Sequence, residues 1–503
     1  MQAMLERDIF DRERLPAVLT EFITSTNPWW DGRPGRVLPQ FRRWAFTTAR
    51  ARLDAGLAPI VVLRGPRQVG KTTIQEQLIQ DYLGRGVDAH RILRLQFDEL
   101  PPLRELETPI LSICRWFENR VLGKTFNEAA HEGKPAYVFL DEVQNLDAWA
   151  PQLKSLVDHN TVHVLVTGSS ALRIEAGRDS LAGRITELDL GPLLLHEIAE
   201  MRGRGTLTPG LPDNGLAPLL DITWWERLAA YGREHDTVRD AAMRDYSARG
   251  GYPIAQERAD RPWPEVADQL NENVVKRVIQ HDLRLGERGR KRDPNLLEEV
   301  FRLACRYAGQ APGPPIFVNE VRTTLHANVG WQRILTYLKF LDGSLLLRLI
   351  NPLEIRLKKK KGNNKLCLCD PGLRASWLQE VIPIDPEGLH RSAHRSTLAG
   401  HLAESVAGYY LANIPGLDVA HFPERGTEPE VDFILTVGEQ RIPLEVKYRQ
   451  VIDAQRDTLG LRAFLERTVN NAPFGVLVTL EDGVEIRDPR IIALPLSSLL
   501  LMR

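Results

Sequence analysis

Cysteine is scarce in this sequence: Cys114, Cys305, Cys367 and Cys369 are the only four in a chain of 503 residues. Four thiols cannot staple a chain of that length, which excludes a disulfide-framed scaffold. Cys367 and Cys369 lie two apart, so on a strand they share a face. Zinc sites want wider spacing and more ligands, so reduced core cysteines are expected. Long apolar runs are also missing. The stretch Leu345 to Ile350 is far too short to span a bilayer, and Met1 to Pro16 is charged, without the apolar core of a signal peptide. The expectation is a cytoplasmic protein with no membrane partner. Net charge is lacking too: 65 Lys and Arg oppose 66 Asp and Glu, leaving −1. The whole molecule is therefore no basic nucleic-acid binder, and any basic surface has to be local. Internal repeats and low-complexity tails are absent.

What is present has a clear order. Residues 1 to about 45 carry polar helix signals ending in Trp29, Trp30 and the turn-like Asp31-Gly32, and read as an arm that packs on the next segment of the chain. Short apolar runs then alternate with helical stretches: Ile60 to Leu63, Ile92 to Phe97, Tyr137 to Leu140, Val162 to Val166 and Ile185 to Leu190. Strands spaced this way predict an α/β fold with a parallel sheet. The Gly/Pro-rich stretch Gly203 to Pro218 reads as an exposed loop, and helical periodicity dominates from Trp224 to Tyr307. After the break Gly309 to Pro315, two helices (Asn319 to Leu325, Trp331 to Leu341) precede a strand at Leu345 to Ile350. A basic tip and the strand Leu366 to Cys369 come next. Helix, helix, two-stranded ribbon is the order of a winged helix. Past Pro383 to Pro386 comes a helix (Ala399 to Leu411), then strands at Val431 to Val437, Arg441 to Lys447 and Gly475 to Thr479.

The segment Gly65-Pro66-Arg67-Gln68-Val69-Gly70-Lys71-Thr72-Thr73 fits the P-loop pattern, between an apolar strand and a helix. Glycines let backbone N–H groups close around phosphate, and the helix N-terminus adds its positive end. Lys71 is placed to reach the β- and γ-phosphates of ATP, and the Thr72 hydroxyl to bind Mg²⁺. The run Tyr137 to Glu142 is a buried strand ending in two carboxylates: Asp141 for the Mg²⁺ shell, Glu142 to orient the attacking water. Two acids there could instead cap a helix. The strand Val162 to Val166 ends in Thr167-Gly168-Ser169-Ser170, where Thr167 and Ser169 are candidate γ-phosphate sensors, with helix capping by Ser169 or Ser170 as the alternative. Arg184 is either a finger reaching a neighbouring subunit's ATP or an ordinary surface ion pair.

Near the end, Asp432 lies on one strand, and Glu445 and Lys447 share a face of the next. Acid, then Glu-x-Lys on the hairpin partner, is the PD-(D/E)xK nuclease signature. Asp432 and Glu445 would bind Mg²⁺ or Mn²⁺, Lys447 would orient water or stabilise the transition state, and Glu404 on the preceding helix matches a helical acid of the junction-resolving branch. A cross-strand salt bridge on a decayed fold is the rival. Glu132-Gly133-Lys134 repeats the tripeptide in a polar loop without an acid partner, a built-in control. Positive charge gathers at Arg284 to Arg292 and at the ribbon tip, Arg356, Lys358, Lys359, Lys360, Lys361 and Lys365. Such a tip can track DNA phosphates or simply keep an exposed ribbon soluble.

In these motifs the chain resembles prokaryotic AAA ATPases of the fourteenth AAA domain family fused to the domain of unknown function numbered 4143. The likeness runs from about Ala58 onward through GPRQVGKTT, FLDEVQ (Phe139 to Gln144), TGSSAL (Thr167 to Leu172), LAGR (Leu181 to Arg184), GGYP (Gly250 to Pro253), LCLCDPGL (Leu366 to Leu373), EVDFIL (Glu430 to Leu435) and LEVKY (Leu444 to Tyr448). It implies an AAA-type core at 46–200 behind the arm at 1–45. A helical lid at 201–290 would bring Pro253 near the adenine. A winged helix at 291–380 and a nuclease-like domain at 381–503 would complete the chain. The insertion Gly203 to Pro218 departs from the compact pattern. The functional expectation is an ATP-hydrolysing, DNA-processing homo-oligomer such as a hexamer, remodelling branched or duplex DNA, with Holliday-junction branch migration its most specific form. Two rivals are an ATP-licensed metal-dependent nuclease of repair or defence, and an ATP-dependent signalling switch or scaffold with an inactive nuclease fold.

Overall fold

The computed structural model describes residues 15–97, 103, 106–146, 148–168, 179–212, 215–279, 293–354, 362–424, 426 and 428–503. The chain divides into two compact units, Met1–Pro66 with Gly70–Leu190, and Arg67–Val69 with Gly191–Arg503.

The first unit is built on five strands: β1 (Ile60–Arg64), β2 (Ile92–Gln96), β3 (Ala136–Asp141), β4 (Val162–Gly168) and β5 (Ile185–Asp189). All pair in parallel, in the order β2-β3-β4-β1-β5. The largely apolar sequences of the central strands β1, β3 and β4 go with burial on both faces, every residue of β3 is buried, and the edge strand β5 is mostly half-buried. Because β4 lies between β1 and β3, the residues ending β4 fall between the loop after β1 and the acids ending β3. The arm contributes Leu19 and Ile23, on the helix Ala17–Thr26, to the core of this unit. Its Asn27 closes the free edge of β2: the side-chain amide donates to Arg94 O at 2.9 Å and the side-chain carbonyl accepts from Arg94 N at 2.7 Å. An edge strand whose backbone groups are paired this way offers no template for another chain.

In the second unit the strands are β6 (Leu347–Pro352), β7 (Lys365–Leu368), β8 (Asp418–Phe422), β9 (Val431–Val437), β10 (Gln440–Lys447), β11 (Gly475–Thr479) and β12 (Ile491–Pro495). They form one mixed sheet, ordered β12-β11-β10-β9-β8-β6-β7. Three helices (Pro294–Arg306, Pro314–Leu325 and Trp331–Gly343) precede the β6–β7 ribbon. The far half of β6 pairs in parallel with β8, Asn351 opposite Ala420, so segments 291–380 and 381–503 share one sheet.

Two expectations need correction here. Gly203 to Pro218 is not simply an exposed loop: Leu207 and Leu211 are buried, and Gly210 N and Leu211 N donate to Leu501 O (3.0 Å) and Met502 O (2.6 Å). Apolar side chains at that spacing, with free backbone donors, docked the segment. Lys365 does not belong to the basic tip, because it opens β7 and is buried. The other tip residues, Arg356, Lys358, Lys359, Lys360 and Lys361, lie outside the described residues, as do Ser169, Ser170 and the cluster Arg284 to Arg292. All four cysteines are buried and unbridged. Among the described residues no helix is long and apolar enough to cross a membrane.

Candidate functional site

The loop after β1 turns on two positive-φ residues, Gln68 (64°) and Gly70 (95°), and Gly70 then caps the helix Lys71–Gly84. Gly70 serves because that conformation is strained for a residue with a Cβ. Lys71 is buried, and its ammonium donates to Gly65 O and Pro66 O, each at 2.8 Å. Thr72 Oγ1 lies 3.0 and 3.3 Å from the two carboxylate oxygens of Asp141. Thr167 Oγ1 donates to Asp141 Oδ1 and accepts from Glu142 N at 3.2 Å. One hydroxyl therefore ties the Asp141 carboxylate and the Glu142 main chain to the end of β4. Burial pushes the Asp141 carboxyl up from its ordinary range, with the Thr167 hydroxyl pulling it back.

Glu142 has the left-handed backbone (φ 53°) uncommon for a residue with a side chain, and the Gln144 amide donates to its carboxylate. Strain of this kind gathers at functional sites. Arg94, which the sequence reasoning missed, projects from β2 to within 3.6 Å of Asp141 Oδ2 and 3.5 Å of Glu76 Oε1. A cation inside the apolar run Ile-Leu-Arg-Leu-Gln was the available signal. Arg184 forms a two-pronged surface ion pair with Asp158, at 2.5 and 3.0 Å.

Thr72 and Asp141 fit a nucleotide-bound Mg²⁺: a hydroxyl and a carboxylate, 3.0 Å apart, stand at the head of the loop helix.

In the second unit, Gly250-Gly251-Tyr252-Pro253 and Asp370-Pro371-Gly372-Leu373 make one structural device. Asp370, buried, accepts from Gly251 N (2.5 Å) and Leu373 N (2.7 Å). Burial pushes it up to about 7 against those donors. A Cβ on Gly250 would meet Asp370 Oδ1 at 2.2 Å. Tyr252 is fully buried, and Pro253 opens a short helix.

The residues of the Asp and Glu-x-Lys pattern converge on a cleft of about 540 Å³ lined by Lys365, His401, Glu404, Asp432, Glu445 and Lys447, among others. On the helix Ser396–Ala412, Gly408 stands one turn after Glu404 on the same face. Its missing side chain lets that helix close on the sheet, since a Cβ there would strike Cys367 Sγ at 2.4 Å and the Phe433 ring at 2.7 Å. Asp432 Oδ2 accepts from Val446 N (2.9 Å), and Glu445 Oε1 pairs with Lys447 Nζ at 2.5 Å. Lys365 Nζ lies between two acids, 2.7 Å from Asp432 Oδ1 and 3.0 Å from Glu404 Oε2, over the Phe433 ring.

Burial alone would raise Asp432, but Lys365, the Val446 N–H and Lys447 together hold it below the usual range. Burial, with Asp432 nearby, pushes Glu445 up to about 8 against Lys447, and drives Glu404 well up. These residues do not fit a divalent cation, because an ammonium stands where Glu404 and Asp432 would bridge it. Among the described residues no group of three or more His, Cys, Asp or Glu is arranged to hold a metal. Of the expected metal set Glu404, Asp432 and Glu445, the first two are bonded to the Lys365 ammonium and the third to Lys447.

Comparison with known proteins agrees with the first unit. Residues 58–199 match the AAA domain model. Residues 240–381 match a different model, the domain of unknown function numbered 8612, rather than the one numbered 4143. Over 380 residues the chain is 24% identical to an uncharacterized protein of Methanocaldococcus jannaschii, spanning 75% of this chain and 72% of that one. Among solved structures it resembles the Walker-type ATPase of Pyrococcus abyssi, at 14% identity and TM-score 0.39 over 69% of this chain and 99% of that one. It also resembles the Aeropyrum pernix ORC1 protein in complex with DNA, at 13% identity and TM-score 0.26 over 69% and 94%. Likenesses this loose say nothing of activity, and the fold rests on its own strand order.

Proposed function

We propose that this chain hydrolyses ATP at Gly65 to Thr73 and uses the cycle to work on DNA, branched or duplex, as a homo-oligomer. The observation that carries the ATPase reading is the hydroxyl–carboxylate cluster Thr72, Asp141 and Thr167 beside the Lys71 ammonium. Lys71 gathers the β- and γ-phosphates, and Thr72 and Asp141 hold the Mg²⁺ that neutralises their charge. Glu142 orients the attacking water, while Thr167 fixes both acids relative to the γ-phosphate. Arg184 would leave Asp158 to reach a neighbouring subunit's nucleotide.

Support for DNA is the order of helices followed by a ribbon in the second unit, with a lysine-rich connection between β6 and β7. Lysine contacts to phosphate are sequence-independent and salt-sensitive. Branch migration at a Holliday junction is the most specific form of this reading. Lys365 favours a second reading, a signalling switch or scaffold whose nuclease-like fold is catalytically silent.

The test is ATP turnover by wild type and Lys71→Ala, with and without duplex and four-way-junction DNA. Expected are a loss of at least about a hundredfold in Lys71→Ala and stimulation of wild type by DNA. Surviving turnover in Lys71→Ala removes the ATPase assignment, and turnover indifferent to every DNA form removes the DNA part.

A further inference from the structure

The acidic cleft of the second unit comes with its own cation. A carboxylate removed from water needs a compensating charge, and Asp432 and Glu445 are both buried. The chain supplies that charge twice. Lys447 meets Glu445 from the same strand, and Lys365 reaches in from β7 to bond Asp432 and Glu404 together. Lys365 is itself buried, with Cys367, on the same face of β7, fixed against the gap left by Gly408. Strand and helix thus both hold the ammonium in place.

A Mg²⁺ ion needs oxygen ligands at about 2.0–2.1 Å in near-octahedral array. Asp432 offers Oδ2 to Val446 N and Oδ1 to Lys365, and the Glu404 Oε2 facing it is bonded to the same ammonium. Two cations cannot share that gap.

We propose that Lys365 is a tethered replacement for the divalent cation of a nuclease-like site, so that Asp432 and Glu404 are held by an ammonium without metal and the cleft does not cut DNA by a metal-assisted route. The Asp-and-Glu-x-Lys signature is then retained as a buried ionic network, and the cleft becomes a cation site only when the Lys365 ammonium is removed.

The experiment uses the full chain without nucleotide, so that the ATPase reading stands or falls apart from it. Mn²⁺ binding is followed by loss of the free-ion electron paramagnetic resonance signal, and by thermal shift, in wild type, Lys365→Met, Asp432→Asn and the double variant. Wild type should show no Mn²⁺ binding that Asp432→Asn abolishes. Lys365→Met should melt lower than wild type and bind Mn²⁺ at least about tenfold more tightly, recover melting temperature as Mn²⁺ is added, and lose both effects in the double variant. Wild-type binding abolished by Asp432→Asn overturns the proposal, as does a folded Lys365→Met with no gain. Should Lys365→Met fail to fold, Lys365→Gln takes its place, and the wild-type against Asp432→Asn comparison decides by itself.

Discussion

Replacing Thr167 by valine keeps the side chain's shape and removes one hydroxyl. That hydroxyl donates to Asp141 and accepts from Glu142 N at 3.2 Å. A hydrogen bond to a charged group contributes about 1.5–3 kcal/mol. If the hydroxyl fixes the acids for the reacting geometry, most of that loss falls on the transition state, and each ~1.4 kcal/mol is tenfold in rate. Turnover should therefore fall about 10- to 150-fold. ATP affinity should hold, because Lys71 keeps its bonds to the loop and Asp141 keeps Thr72 at 3.0 Å. The assay is steady-state hydrolysis of Mg-ATP, separating kcat from KM, with Thr167→Ser alongside. Serine retains the hydroxyl and should stay within about threefold of wild type, less than one hydrogen bond's worth. Thr167→Val within twofold of wild type in kcat, or a raised KM at unchanged kcat, refutes the reasoning.

Arg184→Ala breaks a surface pair with Asp158 and an exposed bond to Ala182 O, so the melting temperature should hold while turnover falls. Mixing it with Lys71→Ala should restore part of the activity if the arginine serves a neighbour's site, and no recovery removes the finger. Asp370→Ala leaves the Gly251 and Leu373 N–H groups without a buried acceptor; at about 1–3 kcal/mol each, urea unfolding should show a loss of about 2–6 kcal/mol, with Asp370→Asn losing less. Neutralising the four lysines Lys358 to Lys361 should flatten the dependence of DNA affinity on salt by at most about 3.6 in log–log slope, ~0.9 for each phosphate no longer neutralised. An unchanged slope detaches that segment from DNA.

What the sequence disclosed depends on how local each pattern is. The P-loop is one contiguous strand, turn and helix, and the acids of β3 end an apolar run, so both were readable without knowing what lies beside them. Thr167 followed from strand ends alone, since β4 finishes between β1 and β3. Strands β8 and β12 were missed: Asp-Val-Ala-His-Phe is short and half polar, and Ile-Ile-Ala-Leu-Pro ends in a residue that cannot donate to a ladder. Lys365 was misread because it ends a lysine-rich run, while its partners Glu404 and Asp432 lie 39 and 67 residues further along. Asp370 and Gly251, 119 residues apart, sit in two motifs that looked independent. The period-two alternation of a strand puts Lys365 on the face of Cys367, and that was the signal there to use.

The two Glu-x-Lys copies show why a motif underdetermines its chemistry. In the polar loop, Glu132 pairs with Lys124 at 2.7 Å, both partly exposed; water can replace that partner at little cost. At Glu445 the same residue types sit beneath a helix and beside a second and third acid. There an unpaired carboxylate is costly, so a countercharge is required whether or not the site is catalytic. A divalent ion or a lysine can each meet that requirement, and the signature residues look alike in both cases. What separates them is a residue outside the signature, on a strand that joins the sheet through the β6–β8 pairing. The ammonium of Lys365 makes the buried acids compatible with a folded chain in the absence of metal, and so retention of the motif in this sequence carries no implication that the bond-breaking activity was retained with it.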